Sequence, residues 1–344
     1  MMNNWQYLHG EPAFSGRLKV EPEDFVVEED LGFEPCGEGE HILLHIRKRG
    51  QNTQWVAREL ARLAGVAQRD ITWAGLKDRH AVTQQWFGVH LPGKAMPDFS
   101  PLENDDIQIL AVGRHHKKLR VGALKGNFFR LRIRELAGSG DLDGRLAAIA
   151  KSGVPNYFGT QRFGFNGGNL EQARAMFGGK RIKDRNKRSL YLSAARSYLF
   201  NQAVSHRLSR QLAFQLLPGD CVMLEGSQSF FTLEEPDDTL LSRFAEGDIR
   251  LSAPLWGRGR LPATAAAAEL ELAAVADHAE LCEGLEANGL KQERRALLLQ
   301  PQQLSWQQDG DQLELTFWLP AGSYATSVMR ELITDSGQHE ETAE

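Results

Sequence analysis

One carboxylate stands in a crowd of cations. Residues 74–89 read AGLKDRHAVTQQWFGV, which places Asp78 in a short loop with Lys77, Arg79 and His80 as neighbours. Positive surroundings favour the ionised form of a carboxyl group, which suits a nucleophile or a base. Loops carried on rigid strands are where catalytic groups concentrate. The same spacing equally fits a turn aspartate that bonds its own backbone. A second pattern lies at 125–135, KGNFFRLRIRE. With a period of two, Asn127, Phe129, Leu131 and Ile133 share one face, and Phe128, Arg130, Arg132 and Arg134 share the other. An arginine row can run along a phosphate backbone, and an amide beside an aromatic ring can read a base edge while the ring stacks on it. The alternative is a half-buried strand with a core phenylalanine and solvated arginines.

These groups need strands and caps to hold them. Residues 17–28 read as strand around a Pro-Glu turn, and 41–48, 71–75, 83–91, 107–113 and 126–134 as further strands. Asn52 or Thr53 is placed to cap a helix running to Ala64, with Gly65 to stop it. A helix at 142–153 closes this half. After Pro155 the texture becomes Gly-rich and aromatic, NYFGTQRFGFNGGN, and then helical at 169–177, 189–214 and 264–287. Residues 304–319 return to strand around an Asp-Gly hairpin signal, 323–333 to helix, and the tail DSGQHEETAE is expected to fray. The expected architecture is a mixed α+β domain interrupted by a more helical insert.

Bulk properties narrow the classes. A chain of 344 residues suggests about two domains. Its three cysteines, Cys36, Cys221 and Cys282, are far apart and form no CxxC pair, so a disulfide framework or thiolate zinc site is not expected and each reads as a small buried hydrophobe. No apolar run is long enough to span a bilayer and the N-terminus lacks the layout of a signal peptide, so a cytoplasmic protein is expected. The net charge is −5, but from Ile107 to Arg134 there is no acid, and Lys117 and Lys118 lie in that stretch. A second basic run comprises Lys180, Arg181, Lys183, Arg185, Lys187 and Arg188, broken by Asp184. Such asymmetry suits one face for a polyanion, or else marks a solvated surface that is basic by chance. HILLH at 41–45 lacks the glutamate and helix of a zinc motif, and no GxxxxGK[ST] loop occurs.

In order along the chain, KVEPEDFVVEE (19–29), GLKDRHAVTQQWF (75–87), GNFFRLRIR (126–134), NYFGTQRFG (156–164) and AGSYATSVMRELI (321–333) resemble the signatures of the TruD family of tRNA pseudouridine synthases. The resemblance implies a pseudouridine synthase fold with a mixed, largely antiparallel sheet. It also implies a catalytic domain at 1–154 and 304–344, and a family insert at 155–303. By position it makes Asp78 the catalytic aspartate and Phe129 the active-site aromatic. Phe25, Asn127 and Tyr324 become base contacts, and Lys19 a cation beside the aspartate. Tyr324 departs from the phenylalanine expected there. The implied substrate is tRNA, at uridine 13, with no cofactor, no membrane and no obligate protein partner. Nothing in the residues demands a dimer. Lys117, Lys118, Arg130 and Arg132 are the expected backbone contacts.

Pseudouridine formation detaches uracil N1 from the ribose and rejoins C5 to the same carbon, with no net oxidation or hydrolysis, so one carboxylate is enough. The sequence leaves open whether Asp78 attacks the sugar, attacks the base or deprotonates the sugar. Two rivals remain at this stage. A glycosidic hydrolase would need a second carboxylate brought near from Glu21, Glu23 or Asp24. A non-catalytic RNA-binding protein would have no need of Asp78.

Overall fold

A computed structural model describes residues 4–337. The first half is mostly strand: β1 (Phe14–Arg17), β2 (Phe25–Asp30) and β3 (His41–Arg49), then helix α1 (Thr53–Ala64), β4 (Ile71–Trp73), β5 (Val82–His90), β6 (Ile107–His115) and β7 (Gly126–Gly138). Asn52 is the cap of α1, its side chain accepting from the Gln54 N–H, and Gly65 at φ 60° ends it in the left-handed region. Val56, Ala57, Leu60, Ala61 and Ala64 form the buried stripe between those two signals.

Helix α2 (Leu142–Ser152) and β8 (Val154–Pro155) lead into α3 (Gly168–Phe177), α4 (Arg185–Ser209), β9 (Cys221–Leu224), β10 (Phe230–Thr232), α5 (Asp238–Ala245), β11 (Ile249–Leu255), α6 (Ala265–Val275), α7 (Ala279–Ala287), β12 (Glu293–Ala296) and β13 (Leu298–Leu299). Helices dominate this stretch, as a more helical α/β insert requires, and β10, β9, β11 and β12 form a four-stranded sheet within it. The pattern at 264–287 is two helices with a tight turn at Ala276–His278, a break that no residue type marks. Helix α4 starts four residues before the expected 189, because Asp184 caps it by accepting from the Asn186 and Lys187 N–H groups. It ends at Ser209, short of 214.

The chain returns through the hairpin of β14 (Gln302–Asp309) and β15 (Gln312–Pro320) to α8 (Ala325–Leu332) and β16 (Thr334–Asp335). Asp335 does not fray, since β16 pairs with β1 and the Ser336 N–H donates to the Gly16 carbonyl; the tail from 338 lies outside the described residues. Of the cysteines, Cys221 and Cys282 are buried, whereas Cys36 is exposed against expectation.

The large sheet runs β14-β15-β7-β2-β5-β3-β6, with β1, β4 and β16 at its margins. All neighbours along this path are antiparallel except β2 and β5, which pair in parallel from Val26↔Val82 to Glu28↔Gln84. That pair divides the sheet. On one half, α2 and α8 cover Phe25, Val27, Phe129, Leu131, Leu313 and Leu315. On the other, α1 covers Ile42, Leu44, Ile46, Phe87 and Val89. Two apolar cores on the same face leave a polar seam between them, where β2 meets β5.

Candidate active site

The loop after β4 enters this seam and is tied down by side chains. Gln85 Nε2 donates to the Gly75 carbonyl at 2.7 Å, Thr53 Oγ1 donates to Gln85 Oε1 at 3.0 Å, and the Lys77 N–H donates to Thr53 Oγ1 at 3.2 Å. Thr53 and Gln85 are buried, so these bonds are shielded from competing water. The loop delivers Asp78 with its side chain 30% exposed, open enough to meet a substrate.

Asp78 makes a local turn bond and also meets a cation from a distant segment. Its Oδ1 accepts from the His80 N–H at 3.0 Å, which is the local turn bond. Its Oδ2 accepts from Lys19 Nζ, 59 residues earlier in the chain. Burial pushes the carboxyl up, but the Lys19 ammonium and the His80 N–H and ring outweigh it and hold Asp78 below the usual aspartate range. Lys19 sits at φ 54°, a costly conformation for a non-glycine residue, with its Nζ 4.3 Å from the centre of the Phe25 ring. The turn that follows it is anchored by Arg134, which grips Asp24 at 2.8–3.0 Å and Glu21 at 3.3 Å. Arg134 is therefore a strut for the Lys19 loop and no part of a phosphate-facing row.

Deeper in the seam lie three charges that the sequence reading did not single out as a group. Lys77 Nζ stands 2.8 Å from Glu29 Oε1 and donates to Asn127 Oδ1 at 2.9 Å. Glu29 is buried and its other oxygen accepts from the Trp86 N–H at 2.7 Å. Burial pushes the Glu29 carboxyl up against the pull of Lys77. Lys48 is fully buried, and burial pushes its ammonium down to about 8 although Asp78 and Glu29 oppose this. Period two marks these residues in retrospect. Glu29 is in phase with Phe25 and Val27, and Lys48 with Ile42, Leu44 and Ile46.

Phe25, Asn127 and Phe129 each retain 8% exposure, while Leu131 one step further along β7 has none, so the three lie at the edge of the core that faces the seam. Phe129 stacks on Phe317 with centroids 5.4 Å apart and meets Phe25 edge-to-face at 6.3 Å. One face of the Phe129 ring is thus taken by Phe317. Gly126 opens β7 where a Cβ would lie 2.2 Å from the Trp318 ring, a close approach that lets β15 lie flat beside Asn127. Tyr324 caps the start of α8, four residues past Pro320, which pairs with Gly126. Half-buried, it has a partner for its hydroxyl, which accepts from Arg162 Nη2.

The expected backbone contacts divide. Arg130 and Arg132 lie on the face of β7 opposite Asn127 and Phe129; Arg130 lines a cleft there with Glu28, Gln84 and Phe128, and Arg132 pairs with Glu314 at 3.0 Å. The sheet separates both from Asp78. Lys117 and Lys118 are exposed, on a segment that reaches the base of the Asp78 loop, where the Gly122 N–H donates to the Ala74 carbonyl at 2.8 Å.

The Lys19 pairing carries a pH prediction. A carboxyl held below its ordinary value loses its charge only as pH falls through that lowered value. In Lys19→Met the largest influence opposing burial is lost and the Asp78 value rises. The acidic limb of the kcat/KM profile is then expected to move to higher pH, with turnover falling more at acid than at neutral pH. An unmoved acidic limb would show that Lys19 does not govern the charge of Asp78.

A family model described as tRNA pseudouridine synthase D (TruD) matches residues 1–173 and 170–332. The tRNA pseudouridine synthase D of Aeromonas salmonicida is 63% identical over 333 residues, covering 97% of this chain and 95% of that protein. That of Shewanella oneidensis is 52% identical over 332 residues, covering 96% and 90%. The crystal structure of the putative tRNA pseudouridine synthase D from Methanosarcina mazei superposes with a TM-score of 0.71 at 22% identity and covers 97% of each chain, a likeness of fold.

Proposed function

Because the chain belongs to the tRNA pseudouridine synthase D family, isomerases that turn uridine into pseudouridine in tRNA, we propose that it acts on uridine 13 through Asp78 without a cofactor. The observation that carries the reading is a partly open carboxylate held ionised by Lys19 in a polar seam flanked by aromatic rings.

The target base leaves its stack, at a cost of a few kcal/mol, and enters beside Phe129 and Phe25. Asp78 supplies negative charge at the reacting centre, where the sugar carbon becomes electron-poor as N1 departs. The base then turns about its N3–C6 axis, C5 bonds the sugar carbon, the C5 proton leaves and N1 gains one. That turn exchanges O2 and O4. Since Lys77 occupies Asn127 Oδ1, the Asn127 amide presents its NH2 to the base. A fixed donor finds a carbonyl oxygen both before and after the turn with uracil. With cytosine it meets an amino group in one of the two orientations.

The catalytic domain comprises 1–154 and 304–344, whose strands share the large sheet apart from the two-residue β8, and the insert at 155–303 carries the smaller sheet and the basic start of α4. Arg185, Lys187 and Arg188 there place positive charge at a helix N-terminus with no acid in its first turn, an arrangement that suits a polyanion better than it suits the helix. No described helix is long and apolar enough to cross a membrane, and a tRNA substrate fits action in the cytoplasm.

Charge reversal at Lys117 and Lys118 is expected to weaken tRNA binding and to lower the slope of log affinity against log salt by roughly two. An unchanged slope would remove this segment from the RNA path. The position is tested with transcripts in which only nucleotide 13 is changed from uridine to cytidine. Loss of all product supports uridine 13, and undiminished product at another uridine refutes it.

A further inference from the structure

Two arginines of the insert are buried, each against a carboxylate. Arg207 is clamped by Asp220 at 2.6 and 2.7 Å, and Arg294 by Glu271 at 2.6 and 2.9 Å. Each buried guanidinium is neutralised, as the cost of burying an unpaired charge requires. Arg295 follows Arg294 on β12 and so points to the opposite face. There it has no carboxylate among the described residues. It donates to Asn156 Oδ1 at 2.6 Å and to the Gly322 carbonyl at 3.1 Å, both neutral acceptors. Burial lowers its value to about 10, with Arg162 contributing in the same direction. Arg162 likewise has only neutral partners among the described residues, Ser193 Oγ at 3.0 Å and the Tyr324 hydroxyl.

The two cations share one ring. Arg295 lies 4.4 Å and Arg162 5.6 Å from the centre of Phe158. Two guanidiniums packed on one ring without a counter-charge are unfavourable unless an anion neutralises them, and arginines match the fork geometry of phosphate oxygens. The place fits a substrate strand. Tyr324 and Gly322 follow directly from Pro320, whose partner Gly126 precedes Asn127. The cluster thus stands where the insert meets the end of β7 that serves the Asp78 seam.

We propose that Arg162 and Arg295 form a phosphodiester site that holds the backbone of the RNA strand beside the target uridine. It rests on the reading of an RNA substrate given above. Arg295 also braces Asn156 and Gly322, so its removal risks the fold; Arg162→Gln carries the test, with its thermal midpoint checked against the wild type. Single-turnover kcat/KM is measured on tRNA in which each phosphate flanking the target uridine is replaced in turn by an uncharged methylphosphonate. The Arg162→Gln variant is expected to lose about tenfold on unmodified tRNA, as for loss of a charged hydrogen bond. One methylphosphonate should cost the wild type a similar factor and cost the variant nothing more. Losses that multiply at every linkage, or a variant as active as the wild type, would overturn the site. Failure of the wild type to isomerise unmodified tRNA would instead overturn the functional reading, and the site with it.

Discussion

Asp78→Asn is expected to lower single-turnover isomerisation on the order of 10⁴-fold or more, while the Kd for tRNA stays within about threefold. The amide preserves the shape of the side chain and can still accept from the His80 N–H through its oxygen, so the loop of 75–80 keeps its turn. What disappears is the charge that Lys19 and His80 hold in place. On the proposed reading affinity is set elsewhere, by basic residues and aromatic rings that meet the RNA. Turnover and binding measured on the same preparation separate these effects. A parallel loss of both would mean that Asp78 organises the site without acting in the reaction.

Lys77→Met is expected to destabilise the protein by about 3–5 kcal/mol at neutral pH, because it leaves Glu29 buried without its cation. Glu29 is already pushed above the usual range by burial. A raised carboxyl contributes stability when protonated and loses it as pH rises through its folded value, so the variant should recover part of the loss in mildly acidic solution. The double variant Lys77→Met with Glu29→Gln removes the charge as well as its partner and should recover most of the stability. It should not recover base selection. Without Lys77, the Asn127 amide is free to turn its oxygen towards the base, and discrimination between uridine and cytidine at the target is expected to fall by about tenfold. Restored folding together with wild-type discrimination would separate Lys77 from substrate reading. Equal destabilisation of the single and double variants would show that the ion pair contributes little.

The parts of this architecture that announce themselves locally were legible in the sequence. Asn52 and Gly65 bracket α1, the Asp-Gly signal sits at the β14-β15 hairpin whose turn is Gly310 and Asp311, and the strict alternation of β7 places Asn127 and Phe129 inside and Arg130 outside. Asp78 was legible from the charge of its neighbours, and Lys19 from the family's motif. Lys48, Glu29 and the Asn127–Lys77 bond were less so, since their meeting depends on the parallel pairing of β2 with β5, a long-range contact with no local signal. Their parity was visible, and a lysine in phase with Ile42, Leu44 and Ile46 is a buried polar residue in need of a reason. The strands of the insert's four-stranded sheet are only three to seven residues long and were lost among stronger helical patterns. The division of the cations could not be read at all. Arg134, Arg132, Arg207 and Arg294 each meet an acid distant in sequence, whereas Arg162 and Arg295 do not, and composition treats all six alike.

The seam between β2 and β5 also explains how one sheet serves this chemistry. Each half has its own apolar core and helical cover, so polar groups collect where the covers end. The rigid halves fix Lys19 from one side and the Asp78 loop from the other, which is the kind of preorganisation a single catalytic carboxylate needs.

The most direct test is tritium release from tRNA labelled at C5 of uridine, with wild-type protein in the presence of a chelator and no added nucleotide. The account predicts release that tracks pseudouridine formed, with no free uracil, and none above background for Asp78→Asn. Free uracil from the wild type, or undiminished release by Asp78→Asn, would contradict it.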